Sequence, residues 1–155
     1  MQVNNKFSMN VLAKSANEGF ARACIAAFAA QLDPTLEELQ DVKTAVSEAV
    51  TNAIIHGYEE KGGKIFLTAS LENGVLEVVI EDKGVGIENI EQAMQPLFTT
   101  KPEGERSGMG FAFMEAFMDK VEVESNPGIG TKVHMWKAFK EHVFMQATLW
   151  NTSQV

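Results

Sequence analysis

The sequence predicts a two-layer α/β sandwich, on three observations. Strand-like and helix-like segments follow one another as β-α-α-β-β-α-β-β, with the helices clustered rather than alternating with strands. Adjacent strands are joined by tight turns, Glu72-Asn73-Gly74 and Asn126-Pro127-Gly128, so they pair as hairpins and a doubly wound parallel sheet is disfavoured. The 155 residues suit one domain with a real hydrophobic core, without internal repeat, low-complexity tract or long linker.

Lys6 to Leu12 alternates apolar and polar residues (Phe7, Met9, Val11), as expected of a strand with one buried face. Asn17 is placed to cap a helix reaching about Ala30, with Phe20, Ala23, Cys24, Ala27 and Phe28 on one side. Asp33-Pro34 ends it. Thr35 followed by Glu38 forms a capping box for a second helix, from Leu36 to about His56, closed by Gly57. Strands Lys64–Leu71 and Val75–Glu81 flank the Asn73-Gly74 turn. A glycine turn and a short helical piece, Ile87–Met94, lead into the loop Gln95–Ser107, where Pro96, Pro102, Gly104 and weak periodicity suit a mobile lid. A helix from about Met109 to Met118 and strands Val121–Glu124 and Thr131–Trp136 complete the order. Residues 1–137 read as the domain and 138–155 as a tail. In that tail Phe139, Val143, Phe144, Leu149 and Trp150 share an apolar helical face that either packs on the domain or binds elsewhere.

The formal net charge of -8 argues against broad nucleic-acid binding, which needs a basic footprint. A single cysteine, Cys24, excludes an internal disulfide. Among Ala23, Ile25, Ala26 and Ala27 it reads as a small buried hydrophobe, since no flanking charge would lower its pKa. Lys6, Asn10 and Lys14 interrupt every early apolar run, and no stretch reaches the roughly 18 residues of a membrane span. A cytoplasmic protein with no membrane partner is expected.

Three motifs carry chemistry. In SEAVTNAIIHG, Glu48 and Asn52 stand four apart on one helix face, among Val46, Ala49, Val50, Ala53 and Ile54. A carboxylate and an amide facing inward need a reason, because unpaired buried polar groups are costly. A satisfied structural hydrogen bond is one reading. The other makes the Asn52 oxygen a magnesium ligand and Glu48 a base for a water or hydroxyl attacking a terminal phosphate. His56, another turn on, reads either as approaching the phosphates or as a satisfied helix-end histidine.

In EDKGVGI, Asp82 ends a strand and can accept a hydrogen bond from an exocyclic amine such as that of adenine. Gly84 and Gly86 let the backbone turn tightly and approach the base. A plain strand-ending turn is the alternative. In RSGMGF, Gly108 and Gly110 open a helix whose N–H groups and dipole favour an anion. Thr99, Thr100, Lys101 and Arg106 crowd the same loop of an acidic chain. Arg106, one of two arginines, can stabilise charge on a transferring phosphoryl group. A solvated loop lysine is the alternative reading of Lys101. Thr131, at the start of the last strand, completes a polar contact around adenine or simply opens a strand.

Together these motifs resemble those of the GHKL ATPase superfamily, which includes gyrase, the heat-shock chaperone, the mismatch repair ATPase and histidine kinases. SEAVTNAIIHGY is similar to its N box, EDKGVGI to the first glycine box and RSGMGF to the second, here a short G-M-G-F. QPLFTTKP is similar to the lid of the kinase branch. The resemblance implies the Bergerat ATP-binding fold, a mixed, mostly antiparallel sheet with helices on one face. NEGFARA, AAQLDPTLEELQDVKTAVSEAVTNAIIHGYEE and QPLFTTKPEGERSGMGFAFMEAFMD further resemble the sporulation anti-sigma F factors, over residues 1–137; residues 138–155 do not follow that family.

That resemblance implies a homodimeric protein serine kinase that holds sigma factor F inactive in its ATP-bound form and phosphorylates a serine on an anti-anti-sigma factor. Glu48 would be the general base and Asn52 the Mg2+ ligand. Asp82, Gly84, Gly86 and Thr131 would hold the adenine end of ATP. His56, Thr99, Thr100, Lys101, Ser107, Gly108, Met109 and Gly110 would line the phosphates, with Arg106 on the transferring group. Arg22, on the first helix, would meet a partner, or else is a solvated helix arginine.

Other readings stay open at this point. A general-stress anti-sigma kinase of the same family differs only in its sigma factor. An isolated histidine kinase ATPase domain is disfavoured, because only 47 residues precede Glu48 and none of His56, His134 and His142 lies upstream. A nucleotide-gated binding protein without catalysis would need Asn52 and Asp82 but no base at position 48.

Overall fold

A computed structural model describes residues 3–95 and 110–139. Its elements are β1 (Asn5–Leu12), α1 (Ala16–Ala29), α2 (Leu36–Asn52), β2 (Lys64–Glu72), β3 (Val75–Asp82), the single turn α3 (Ile90–Ala93), α4 (Gly110–Phe117), β4 (Lys120–Asn126) and β5 (Gly130–Ala138). The strands form one sheet in the order β1-β2-β3-β5-β4, and every pairing is antiparallel. The helices cover one face, as the clustering of helical segments predicts.

Period-two alternation decides which face that is. Ile65, Leu67, Ala69 and Leu71 of β2 are buried, with Leu76, Val78 and Ile80 of β3 and Val133 and Met135 of β5. Val42, Ala45, Val46, Ala49 and Val50 of α2 pack onto them. Phe139, just past β5, joins the same core, its N–H bonded to the Gly74 carbonyl at 3.1 Å. The other apolar tail residues lie outside the described residues. The turn between β2 and β3 has both central residues at positive φ, Asn73 at 53° and Gly74 at 78°, the geometry that matches strand twist in a two-residue hairpin.

The capping box at α2 is complete: the Thr35 hydroxyl accepts from Glu38 N–H at 3.0 Å, and the Glu38 carboxylate accepts from Thr35 N–H at 2.9 Å. At α1 the expectation fails. The helix starts after Ser15, without a side-chain cap, and Asn17 instead donates to the Leu12 carbonyl at 2.9 Å, tying α1 to the end of β1.

The stripe expected on one side of α1 is the outward one. Phe20 is 56% exposed and Ala23 and Ala27 are also exposed, whereas Ala21, Ile25, Ala26 and Ala29 are buried. Small residues on the inner stripe let α1 lie close to α2. Cys24 is therefore half-exposed, not the buried hydrophobe expected. Phe28 is the exception in its row, packing on Phe7 of β1 with ring centroids 4.7 Å apart.

Candidate functional site

The second helix is α-helical only to Asn52. Residues Ala53–Gly57 form a π-helical turn, in which Tyr58 N–H reaches back five residues to the Ala53 carbonyl at 2.9 Å. Such wide turns recur at functional sites. Here the turn has two effects. It interrupts the α-helical spacing that would stack His56 one turn beyond Glu48 and Asn52. It also points the Gly57 carbonyl at the loop after β3, where it accepts Val85 N–H at 2.9 Å.

Asp82, the last residue of β3, leads into that loop. The carboxylate sits on the buried face of β3, 6% exposed, and accepts Gly84 N–H at 2.9 Å and the backbone N–H of Thr131 on the neighbouring strand. Burial raises its pKa above the ordinary 3.8; the two N–H bonds oppose this, and the adjacent Glu81 charge adds to it. Backbone packs around it closely. A Cβ on Gly84 would overlap the Gly57 carbonyl, and one on Gly57 would stand 2.7 Å from the Asp82 carboxylate. Gly86, at φ 76°, completes the turn against Asn126 and Pro127.

Thr131 lies opposite Asp82 in the β3–β5 register and is buried. Its hydroxyl pairs with Ser125 Oγ at 2.8 Å, and Ser125 Oγ accepts Ile87 N–H at 2.7 Å. The structure thus brings Asp82, Gly84, Gly86 and Thr131 together.

At the other end, Glu48 and Asn52 are half-buried on α2, and α4 begins against them. A Cβ on Gly110 would lie 3.0 Å from Asn52 Nδ2, 3.1 Å from its Oδ1 and 3.4 Å from Glu48 Oε2. Gly110 of α4 therefore faces the amide and the carboxylate directly. Thr99, Thr100, Lys101, Arg106, Ser107, Gly108 and Met109 lie outside the described residues.

Arg22 is not a freely solvated helix arginine. Its guanidinium donates to Glu18 at 3.0 Å, one turn back on α1, and to Ser47 Oγ at 3.1 Å on α2. Ser47 immediately precedes Glu48. A groove of about 390 Å3 runs there, lined by Arg22, Gln40, Lys43, Thr44, Ser47 and Glu48, so the arginine and the carboxylate share one concavity.

Sequence reasoning missed two residues that shape the site. The Tyr58 hydroxyl accepts Lys83 N–H at 2.7 Å and donates to the Lys64 carbonyl, bolting the Asp82 loop to the start of β2. Ser125 anchors Ile87 and Thr131 from β4. Neither has a sequence signal, because the bond each makes to the glycine-turn segment, Tyr58 to Lys83 N–H and Ser125 to Ile87 N–H, spans 25 or more residues and ends on a backbone group.

The model of the histidine kinase-like ATPase domain matches residues 11–137. The chain is 59% identical over 137 residues to the anti-sigma F factor of Clostridium acetobutylicum, covering 88% of this chain and 96% of that one. It is 55% identical over 136 residues to that of Bacillus licheniformis, covering 87% and 93%. Its fold is similar to the RsbU and RsbW domains of a Mycobacterium tuberculosis protein, with a TM-score of 0.60 at 17% identity over 86% of this chain and 32% of that one. It is also similar to the histidine kinase domain of a blue-light activated kinase from Erythrobacter litoralis, with a TM-score of 0.52 at 20% identity over 81% of this chain and 62% of that one. With a family model matching residues 11–137 and identity of 55–59% over 87–88% of the chain, the chain belongs to the anti-sigma F factor family of histidine kinase-like ATPases.

Proposed function

We propose that this chain is an ATP-dependent protein serine kinase that holds sigma factor F inactive when ATP is bound and phosphorylates a serine on an anti-anti-sigma factor. The observation that carries the reading is the approach of Gly110 of α4 to Asn52 and Glu48, since Glu48 also lines the groove that contains Arg22. A hydroxyl delivered along that groove reaches a carboxylate and a helix start at the same point.

ATP supplies the electrophilic terminal phosphoryl group. Asp82, set among glycine backbone, accepts the adenine amine, with Thr131 beside it. The Asn52 amide oxygen, next to a carboxylate, suits a hard ion such as Mg2+ that keeps waters and phosphate oxygens as its other ligands. Glu48 takes the proton of the partner serine as its oxygen bonds to phosphorus and the bond to the departing diphosphate oxygen breaks. Backbone N–H groups at the start of α4, with Gly110, and the residues of the preceding loop, Arg106 among them, hold the phosphates. Arg22, in the same groove as Glu48, meets the partner protein.

A homodimer belongs to this reading. The outward apolar stripe of α1, with Phe20, Ala23 and Ala27, supports it, as does the edge position of β1 beside it. Cytoplasmic action fits as well; among the described residues no helix is long and apolar enough to cross a membrane. The general-stress sigma factor is the second reading, and nothing in the site geometry favours it.

The test is incubation of the purified protein with labelled ATP, Mg2+ and candidate anti-anti-sigma proteins, with the sporulation and stress partners in parallel. Phosphoserine on the sporulation partner is expected. Label on a histidine of the chain itself, or no transfer to either partner, refutes the kinase assignment.

A further inference from the structure

The helix-facing side of β5 carries an ammonium at its far end. Lys137 is buried on this interior strand, between β3 and β4, where an apolar residue would continue the pattern of Val133 and Met135. Burying a cation is expensive unless it is paired and hydrogen-bonded. Lys137 Nζ donates to the carbonyl of Phe117, the last residue of α4, at 2.7 Å, and lies 3.4 Å from Asp41 of α2. A cation at a helix C-terminus also complements the helix dipole.

The residues on either side complete the grip. Asp119 N–H donates to the Trp136 carbonyl at 2.9 Å, and Ala138 N–H donates to the Asp119 carboxylate at 2.7 Å. Three successive residues of β5 thus hold the end of α4 and the turn after it. α4 is eight residues long, a rod of about 12 Å at 1.5 Å per residue, with Met114 fully buried along it. Its other end is Gly110, against Asn52 and Glu48. A rod this short transmits a shift at one end to the other.

We propose that Lys137 is a positioning residue for phosphoryl transfer. By fixing the C-terminal end of α4 to α2 and the sheet, it sets how closely the start of α4 approaches Asn52 and Glu48. The proposal rests on the reading of that junction as the phosphate end of an ATP site. It explains why a buried charge occupies a position where packing alone calls for an apolar side chain.

The experiment compares the full chain with Lys137→Met and Lys137→Arg. ATP affinity is read by calorimetry, serine transfer by single turnover, and melting temperature alongside. Misplacement by about 1 Å can lower rates by roughly 100-fold. The folded methionine variant is expected to bind ATP about 10-fold more weakly and to transfer about 10-fold to 100-fold more slowly. Arginine, which keeps the charge and reaches the same carbonyl, is expected to restore most of both. A folded methionine variant with unchanged ATP affinity and transfer overturns the proposal. So does a loss that arginine leaves uncorrected, or a fall in melting temperature alone. Should the methionine variant not fold, Lys137→Gln, polar but too short to span to Phe117, carries the same expectation and the same refutation. Because the parent protein is assayed in parallel, a failure of the kinase reading appears there first and is distinguishable from a failure at Lys137.

Discussion

Asp82 is held by backbone, whereas Glu48 and Asn52 are held by the packing of one helix on another. Around Asp82 the Gly57 carbonyl, the Gly84 N–H and the Thr131 N–H approach so closely that side chains are excluded, and Tyr58 and Ser125 bolt the surrounding loops. At the other end two side chains project from α2 toward the first residue of α4, and their surroundings depend on where α4 lies. The contrast suits the proposed division of labour. A base-reading carboxylate gains from a rigid frame that excludes water, while a phosphate-handling junction must admit a nucleotide and then a partner serine. Substitutions at the two ends should therefore separate binding from chemistry.

The largest effect is expected at Glu48. Glu48→Gln keeps the shape of the side chain and removes the proton acceptor. General-base catalysis is worth about 100-fold to 10,000-fold, so single-turnover transfer to the partner serine should fall by that order while ATP binding and sigma capture persist. Transfer at the parental rate would show that Glu48 is not the base, and joint loss of ATP binding would collapse the distinction between the two ends.

The sequence made much of both ends legible, for local reasons. The Thr35–Glu38 capping box and the Asn73-Gly74 turn are short-range hydrogen-bond and φ requirements, and both formed as expected. Glu48 and Asn52 were visible because they interrupt an apolar helix face, and Asp82 because it ends a strand directly before a glycine turn. What stayed hidden was long-range. The inner stripe of α1 was misjudged because Ala21 and Ala29 gain burial by allowing close approach to α2, while the larger Phe20 stays outside. The π-turn after Asn52 was hidden because AIIHG is compatible with continued α-helix. It forms where the Gly57 carbonyl meets Val85 N–H, a contact between segments far apart in sequence.

Asp82 gives an intermediate effect with a pH signature. Asp82→Asn replaces a charged acceptor by a neutral one; hydrogen bonds to charged groups contribute about 1.5–3 kcal/mol, so ATP affinity should fall roughly 10-fold to 100-fold. The ATP-free protein should respond in the opposite sense. Burial raises the folded-state pKa of Asp82, so the stability its protonated form confers is complete below the ordinary 3.8 and is lost as pH rises through the raised value. The substituted amide does not titrate, and the variant should lack that part of the decline. Denaturation midpoints of both proteins across a pH series check this, and parallel profiles would remove desolvation as the controlling influence on Asp82.

The smallest effect tests how far the rigid frame matters. Tyr58→Phe keeps the ring against Gly63 and deletes only the hydroxyl shared by Lys83 N–H and the Lys64 carbonyl. Both backbone groups are near enough to solvent for water to replace the lost partner, so the two bonds together should cost about 1–2 kcal/mol, toward the low side of the usual net worth of two such bonds. If the frame serves nucleotide reading, that loss should appear mainly as a severalfold weaker ATP affinity and a narrower preference for ATP over GTP. The transfer rate at saturating ATP should be unchanged, since Glu48 and Asn52 lie beyond the π-turn on α2. A fall in that rate with affinity intact would mean the two ends are mechanically continuous, and the division between a backbone-built binding end and a helix-built chemical end would not stand.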